Sequence, residues 1–435
     1  MTMASAPTSV EVRSYQVGFG DCFLVSFVYG KKEKRHVLID FGTTELPKGL
    51  KPSVHMPLVA QAIKADSGGA LTAVVATHRH ADHISGFATD GKSGHSGTII
   101  AGCKPRLVLQ SWTEDPDAAR DATRATTGST RSPRGFLQGL AAMHGIAGQV
   151  ARIAQSPPRS MSATTAKQLR FLGMDNIKNR SAVENLIQMG KDGRALFVRH
   201  GSDAGLGRLL PGVKVRVLGP PDLTQTEKIR KMRSSDPDEF WQLMGGARAL
   251  QGLGGTDRAI SGDGGGRARV PAEARWFCDR LSVMTNEQLL EIVRTLDEQM
   301  NNTSLILLFE VGGKRLLFPG DAQIENWSYA LQDAPDAAAT RKLLAGVDFY
   351  KVGHHGSRNA TPKRLLWEGF TKRGAGPAAR LRTMLSTMPG KHGTPAKRTE
   401  VPRTTLLAAL RSETVLLETT TLPKGALSHL TTIGV

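Results

Sequence analysis

Apolar runs along the chain predict β-strands in both its first and its last third. Residues 71–76 form a continuous apolar run rich in β-branched side chains, which predicts a strand buried on both faces. Residues 213–218 alternate between apolar and polar positions instead, as a half-exposed strand does. The same reasoning predicts further strands over residues 11–17, 22–28, 37–39, 105–109, 304–309, 315–318, 347–352, 381–385 and 415–417.

Helical signals lie between these strands. Apolar residues recur at helical spacing within residues 56–65, which predicts a helix before the buried strand. Capping-box patterns predict helix starts at Ser181 and Thr285, and Thr361 followed by proline predicts another. Strands interspersed with helices favour an α/β fold in which helices cover the sheets.

Two long stretches interrupt this pattern. Residues 112–195 are rich in arginine and have little clear periodicity, and residues 222–299 include a glycine-rich piece with few apolar side chains. We interpret both as insertions in a single domain that spans residues 1–435.

Composition narrows the class of protein. A hydrophobic fraction of 40% and a charged fraction of 22% are typical of a globular chain. No apolar stretch is long enough to span a bilayer, and the three cysteines lie far apart, so we expect a cytoplasmic protein without a membrane association. No pattern indicates a protein partner.

The charge balance is strongly basic. Lys and Arg number 57 against 39 Asp and Glu, a net charge of +18. Such an excess favours nucleic acid or another phosphate-bearing anion as a partner. A solvated basic surface without a polyanion partner accounts for it equally well.

A cluster of metal-ligating residue types follows directly after the buried strand. His78, His80, Asp82 and His83 lie within six consecutive residues. Two residues apart in extended chain, His78 and His80 can hold one ion, and Asp82 and His83 can hold a second. Imidazole and carboxylate together favour Zn²⁺, with Mn²⁺ or Fe²⁺ as alternatives, over Ca²⁺ or Mg²⁺. The alternative interpretation is a polar, solvated loop.

Three other strand ends carry similar chemistry. Asp40, Asp321 and the pair His354 and His355 each follow or end a predicted strand. Their convergence on one edge of a sheet would build a metal site. For Asp40 and Asp321 an ordinary turn acid is the alternative interpretation.

These motifs together resemble a known superfamily. The HxHxDH pattern of residues 78–83 is similar to the signature of the metallo-β-lactamase-fold hydrolases. More narrowly, the chain resembles the soluble hydrolase domain of the DNA-uptake channel protein ComEC. The similar pieces are residues 17–21, 38–42, 302–305, 318–321 and 354–357, and the resemblance covers about two thirds of the chain, leaving both insertions aside.

The resemblance implies a four-layer αββα sandwich that holds one or two divalent ions at one edge. His78 and His80 would hold the first ion, and Asp82 and His83 the second. Asp321 would bridge the two ions, and His354 would be the last ligand of the second ion. Asp82 and His355 would be catalytic residues, and His355 would contact substrate or donate a proton. Asp40 would be an acid that orients a ligand.

One ligand expected from the resemblance has no clear position. Many members of the superfamily supply a further histidine to the first ion from the middle of the chain. His95, His144 and His200 are the candidates here, although a histidine in such a position is more often a surface or core residue than a ligand. The sequence therefore does not decide between a site that holds one ion and a site that holds two.

The expected activity is metal-dependent hydrolysis. A divalent ion lowers the pKa of a bound water from about 16 towards 7, so hydroxide becomes available at neutral pH. The resemblance, the net charge and the basic residues Arg79, Lys351 and Arg358 favour a phosphodiesterase or nuclease, with Ser357 as a donor to a phosphate oxygen.

Two alternatives remain at this point. One is a hydrolase of a small anionic metabolite or nucleotide, with the insertions as a lid. The other is a non-catalytic basic binding module on the same fold. An aromatic content of 5% offers little for stacking on single-stranded bases, so cleavage without sequence preference is the natural form of the nuclease hypothesis.

Overall fold

A computed structural model describes residues 6–30, 33–91, 93–115, 179–226, 301–357, 359–376, 379–391 and 400–435. Several predictions lie outside the described residues. They are the helix beginning at Thr285, the glycine-rich piece, most of both insertions, His144 and Arg358.

The described residues contain a first sheet of seven strands. Three antiparallel strands come first along the chain, and three parallel strands follow beside them, in the order β13-β1-β2-β3-β4-β5-β6. The C-terminal strand pairs antiparallel with β1. The strands are β1 Ser9–Tyr15, β2 Cys22–Tyr29, β3 Glu33–Phe41, β4 Ala73–Ala76, β5 Val108–Ser111, β6 Ala195–Val198 and β13 Ser428–Gly434.

A second sheet, of six strands in the described chain, repeats this plan. Three antiparallel strands are again followed by parallel ones, in the order β12-β11-β10-β9-β8-β7. The strands are β7 Val213–Gly219, β8 Ile306–Val311, β9 Lys314–Phe318, β10 Phe349–Lys351, β11 Arg382–Leu385 and β12 Val415–Glu418.

Helices cover the outer face of each sheet. On the first sheet they are α1 Pro52–Asp66, α2 Ala81–Ile84, α3 Ser96–Ala101 and α4 Arg180–Asp192; on the second they are α5 Ile324–Ser328, α6 Ala337–Ala345 and α7 Thr404–Glu413. Shorter 3-10 turns occur at Ser85–Phe87, Trp112–Glu114, Gly353–Gly356, Trp367–Gly369 and Thr419–Thr421, and a π turn at Tyr329–Asp333.

Three large buried clusters among the described residues define the layers. One lies between the sheets, a second lies under α1, α3 and α4, and a third under α5, α6 and α7. Strand β4 shows why the layers form: Ala73 and Val75 face the central cluster, whereas Val74 and Ala76 face the helices. A strand with apolar side chains on both faces must be covered on both. The predicted α/β fold with an αββα order of layers is confirmed.

Two helix predictions were wrong in detail. Helix α4 begins at Arg180, and Ser181 does not cap it, because the Ser181 hydroxyl donates to the carbonyl oxygen of Thr89 at 2.6 Å. The chain after Thr361 forms turns rather than the expected helix, and the Thr361 hydroxyl is hydrogen-bonded to that of Tyr350 at 2.8 Å. In both places a tertiary partner takes the hydroxyl that the local pattern assigns to a cap.

Pattern reasoning also missed the strands β6 and β13. Both contain partly exposed positions and weak alternation. Within the described residues, every helix is too short or too polar to cross a membrane.

Candidate metal centre

The metal-ligating side chains lie where strands of both sheets end. The HxHxDH segment follows β4, Asp321 follows β9, and His355 follows β10. Gly320 makes the approach of the two sheets possible here, since a Cβ at this position would lie 2.8 Å from the Cβ of Thr77. Loops from different sheets therefore meet at one edge.

Four donors form the main group. Asp82, His83, Asp321 and His355 each offer one ligand atom, and these atoms lie within 4.8 Å of one another. His83 Nε2 is 3.0 Å from Asp321 Oδ2, and His355 Nε2 is 3.0 Å from Asp82 Oδ2. All four side chains are buried. Two imidazoles and two carboxylates at this spacing suit a divalent transition metal or zinc.

A second pair of donors lies beside the first group. His78 Nε2 and His80 Nδ1 are 3.0 Å apart, and both side chains are buried. The ring of His78 lies 4.1 Å from that of His83, centre to centre. Two nitrogens bound to one tetrahedral zinc at about 2.0–2.1 Å would lie only slightly farther apart than this pair.

Acceptors behind the rings fix the direction of two donors. Asp40 Oδ2 lies 2.8 Å from His83 Nδ1, and Asp40 itself accepts from the backbone N–H and the hydroxyl of Thr77. The backbone oxygen of Ser386 lies 3.0 Å from His355 Nδ1. Because Nδ1 of each ring faces this acceptor, Nε2 is the nitrogen that faces the other donors and can bind a metal ion once it has lost its proton. This position of Asp40 fits the orienting role expected of it.

Electrostatics couple these groups. Burial favours the neutral imidazole of His83, but Asp321, Asp40 and Asp82 outweigh it and raise the pKa of His83 well above its ordinary value. Burial likewise opposes ionisation of Asp321, yet His83, His354 and His355 hold its pKa well below the usual range. Protons and a divalent cation would thus compete for the same buried carboxylates and imidazoles.

The adjacent histidines take different positions. The sequence assigned the ligand role to His354 and a substrate or proton role to His355. The structure brings His355 into the four-donor group, whereas His354 Nε2 lies 3.6 Å from Asp321 Oδ2 with 25% of its side chain exposed. Both have positive φ, 43° and 53°, a strained backbone conformation, and their ring centres lie 6.0 Å apart.

The mid-chain histidine remains unassigned. His200 is engaged through both nitrogens, at 2.9 Å from the oxygen of Leu218 and 3.0 Å from an oxygen of Asp336. His95 lies at the start of α3. In the part of the chain that the structure describes, neither belongs to a group of potential metal ligands.

The residues expected to bind substrate differ in their burial and in their partners. Lys351 is 2% exposed and contacts protein groups, so its predicted contact with substrate does not fit its position. Arg79 forms an ion pair with the buried Glu114. Ser357 Oγ is buried and has no hydrogen-bond partner among the described residues.

Sequence reasoning missed Asp21 as a site residue. It is fully buried and, with Asp40 and His83, forms a second group of potential ligands. The available signal was an acid after a glycine between two strands, the same signal that drew attention to Asp321.

Comparison with known families supports a metal-binding site at this position. Residues 15–89 match the model of the Metallo-beta-lactamase superfamily, a segment that contains Asp21, Asp40 and the whole HxHxDH motif. A search of curated proteins found no match. Together with the buried group of His and Asp donors, the match indicates a metal-dependent hydrolase. The matched segment is similar to the metallo-β-lactamase superfamily, and the two-sheet architecture is consistent with the fold of that superfamily.

Proposed function

We propose that this chain is a metal-dependent phosphodiesterase that acts on nucleic acid without sequence preference. The observation that carries the proposal is the pair of adjoining donor groups, His78 with His80 and the four-donor group around His83. Two such groups side by side suit two ions. Two-ion sites stabilise both the attacking and the leaving oxygen of an in-line displacement at phosphorus.

Charge and resemblance support the substrate class. The net charge of +18 favours a polyanion, and the short motifs resemble a hydrolase domain associated with DNA uptake. Arg79 supports it less than the sequence suggested, because its charge is offset by Glu114. Arg358 lies outside the described residues.

Roles follow from these positions. When bound, divalent ions would polarise a phosphoryl oxygen and lower the pKa of a water molecule. Asp40 and the Ser386 carbonyl would keep the Nε2 atoms of His83 and His355 aimed inward, and Ser357 Oγ would donate to a phosphate oxygen. His354, whose side chain is 25% exposed, would contact the substrate beside Asp321.

The test compares the protein as isolated with His80→Ala. Metal content is measured by elemental analysis, and cleavage of single- and double-stranded DNA, RNA and bis(p-nitrophenyl) phosphate is measured with Mn²⁺ or Zn²⁺. We expect one or two ions per chain and polymer cleavage that His80→Ala abolishes. His429→Ala, on the edge strand β13, serves as the histidine control and should keep wild-type metal content and activity. Bound metal with no cleavage of any polymer would contradict the proposal.

A second candidate, a hydrolase of a small anionic substrate, is favoured by the burial of the donors. Asp82 is the most exposed of the four-donor group at 8%, so access to it is narrow. Salt dependence separates the two candidates, because polyanion binding weakens steeply as salt rises and small-substrate turnover does so much less. Absence of metal-dependent turnover with every ester tested would instead favour the binding-module hypothesis.

A further inference from the structure

A lysine ammonium lies in the interior directly behind the donor group. Lys351 is 2% exposed, and its Nζ forms an ion pair with Asp21, donates to the backbone oxygen of Gly320 at 3.1 Å and lies 3.7 Å from Asp321 Oδ1. Lysine is rarely buried unless it is paired, because desolvation of the ammonium is costly. A buried ammonium with these partners calls for a role inside the protein.

Its partner Asp21 contacts the other side of the site. The Asp21 N–H donates to the Asp82 carbonyl at 2.8 Å, and the Asp21 carbonyl accepts from the N–H of Gly42 at 3.1 Å. The two carboxylate oxygens of Asp21 lie 3.7 Å from His83 Nδ1 and 3.7 Å from His355 Nδ1. Asp21 therefore lies behind both imidazoles whose other nitrogens face the donor group.

The two residues connect loops from both sheets. Asp21 precedes β2 of the first sheet, whereas Lys351 ends β10 of the second and reaches the Gly320 carbonyl after β9. The pair thus fixes the position of the Asp321 loop relative to the HxHxDH segment. The ammonium of Lys351 also lies between the buried carboxylates of Asp21 and Asp321, which would otherwise repel one another.

We propose that the Lys351–Asp21 ion pair is a positioning element of the metal centre, which sets the separation of Asp321 from the His83 and His355 donors, and that Lys351 does not contact substrate. The proposal rests on the metal-holding part of the proposed function and is independent of the phosphodiester specificity.

The experiment measures metal affinity rather than turnover. Lys351→Met keeps the length of the side chain and removes its charge, and Lys351→Arg keeps the charge. Apo proteins are titrated with Co²⁺ and with Zn²⁺ against a chelating dye, and the Co²⁺ absorption spectrum reports ligand geometry. Residues that support metal ligands typically contribute 10- to 100-fold in affinity, and we expect a loss of this size in Lys351→Met with a changed Co²⁺ spectrum.

Controls separate positioning from general destabilisation. Lys372→Met removes a lysine whose Nζ lies 2.6 Å from an oxygen of Asp348 and should leave affinity and spectrum unchanged. Asp21→Asn should reproduce the effect of Lys351→Met, and the double variant should lose less than the two single losses combined, because the same contact is removed in each. If Lys351→Met fails to fold, Asp21→Asn and Lys351→Arg carry the test through the Co²⁺ spectrum.

The possible outcomes are distinct. Wild-type affinity and spectrum in both Lys351→Met and Asp21→Asn would overturn the proposal, and loss of polymer cleavage alone in Lys351→Met would return Lys351 to a role in substrate contact. Failure of the wild-type protein to bind either metal would instead refute the proposed function and the positioning role with it.

Discussion

At the scale of single residues, Asp40 shows how one acid serves a site without facing it. Its carboxylate accepts from three donors, the Thr77 N–H at 2.7 Å, the Thr77 hydroxyl at 2.8 Å and His83 Nδ1 at 2.8 Å. Its backbone has φ of 56°, in the left-handed region that costs about 1–3 kcal/mol for a side-chain-bearing residue. The strained position is compatible with a residue selected for its contacts.

Asp40→Asn is expected to weaken metal binding by about 10- to 100-fold. An amide in place of the carboxylate turns one acceptor into a donor, so either Thr77 or His83 loses its partner. Zn²⁺ affinity by dye competition checks this. Asp66→Asn is the control. Asp66 accepts a hydrogen bond from the Tyr15 hydroxyl at 2.7 Å and does not belong to the donor groups, so this variant should leave metal affinity unchanged. Wild-type affinity in Asp40→Asn would refute the orienting role.

Gly42 is required by close approach rather than by its own conformation. A Cβ at this position would lie 2.4 Å from both the Ala81 carbonyl oxygen and the His83 backbone nitrogen. Gly42→Ala should therefore displace the metal loop and lower the free energy of unfolding by about 1–3 kcal/mol, as overpacking usually does. Urea denaturation measures the loss. Gly207→Ala, which meets no atom within 4 Å, is the matched control and should remain near wild type.

At the scale of elements, the start of α7 depends on a side chain from outside the helix. Glu400 accepts from the Thr404 hydroxyl at 2.8 Å and the Thr404 N–H at 3.2 Å, and Arg403 donates to it at 2.7 Å. These hydrogen bonds, first of all the one from the Thr404 hydroxyl, lower the pKa of Glu400 from 4.5 to about 2. The ionised carboxylate is thus the form that stabilises the helix start.

Glu400→Gln should therefore remove a pH-dependent part of the stability. Since the folded pKa is below the unfolded one, this stabilisation is fully present above pH 4.5 and is lost as pH falls through about 2. The difference between wild type and Glu400→Gln, measured by urea denaturation of metal-free protein, should shrink over that window. Thr404→Ala should move the loss to higher pH. A constant difference from pH 6 to pH 2 would contradict this account.

Elements were predictable where local pattern and burial agree. The continuous run of residues 71–76 contains β4, and the predicted hairpin over residues 304–318 contains β8 and β9. These predictions succeeded because segments with so many apolar side chains must be buried. Strand β13 was missed because it is stabilised by pairing with β1, from the opposite end of the chain. The turns after Thr361 were predicted as a helix because the hydroxyl of Thr361 was expected to cap it. That hydroxyl is hydrogen-bonded to Tyr350 instead, a contact that the local sequence pattern does not show.

At the scale of the whole molecule, aromatic side chains join the two sheets. Phe309 of the second sheet lies 5.8 Å from Phe27 of the first and 5.8 Å from Phe318, ring centre to ring centre, and is fully buried. Phe309→Ala should lower the free energy of unfolding by about 3–5 kcal/mol through lost burial and a residual cavity. Equilibrium unfolding in urea checks this value.

Leu430→Ala on strand β13 is the control for the sheet interface. Leu430 is 45% exposed, so its truncation should cost less than about 1 kcal/mol. Equal losses in the two variants would show that the contact between the sheets contributes little to stability.

The sequence by itself determined the α/β class, most of the strands and the chemical type of the site. Apolar periodicity and donor residues at strand ends are local properties, and local properties can be read along the chain. Only the tertiary structure decided that His355 rather than His354 joins Asp82, His83 and Asp321, since adjacent residues at positive φ are indistinguishable by spacing. It also turned Lys351 inward to Asp21, because which charge meets which acid depends on how loops of two different sheets come together.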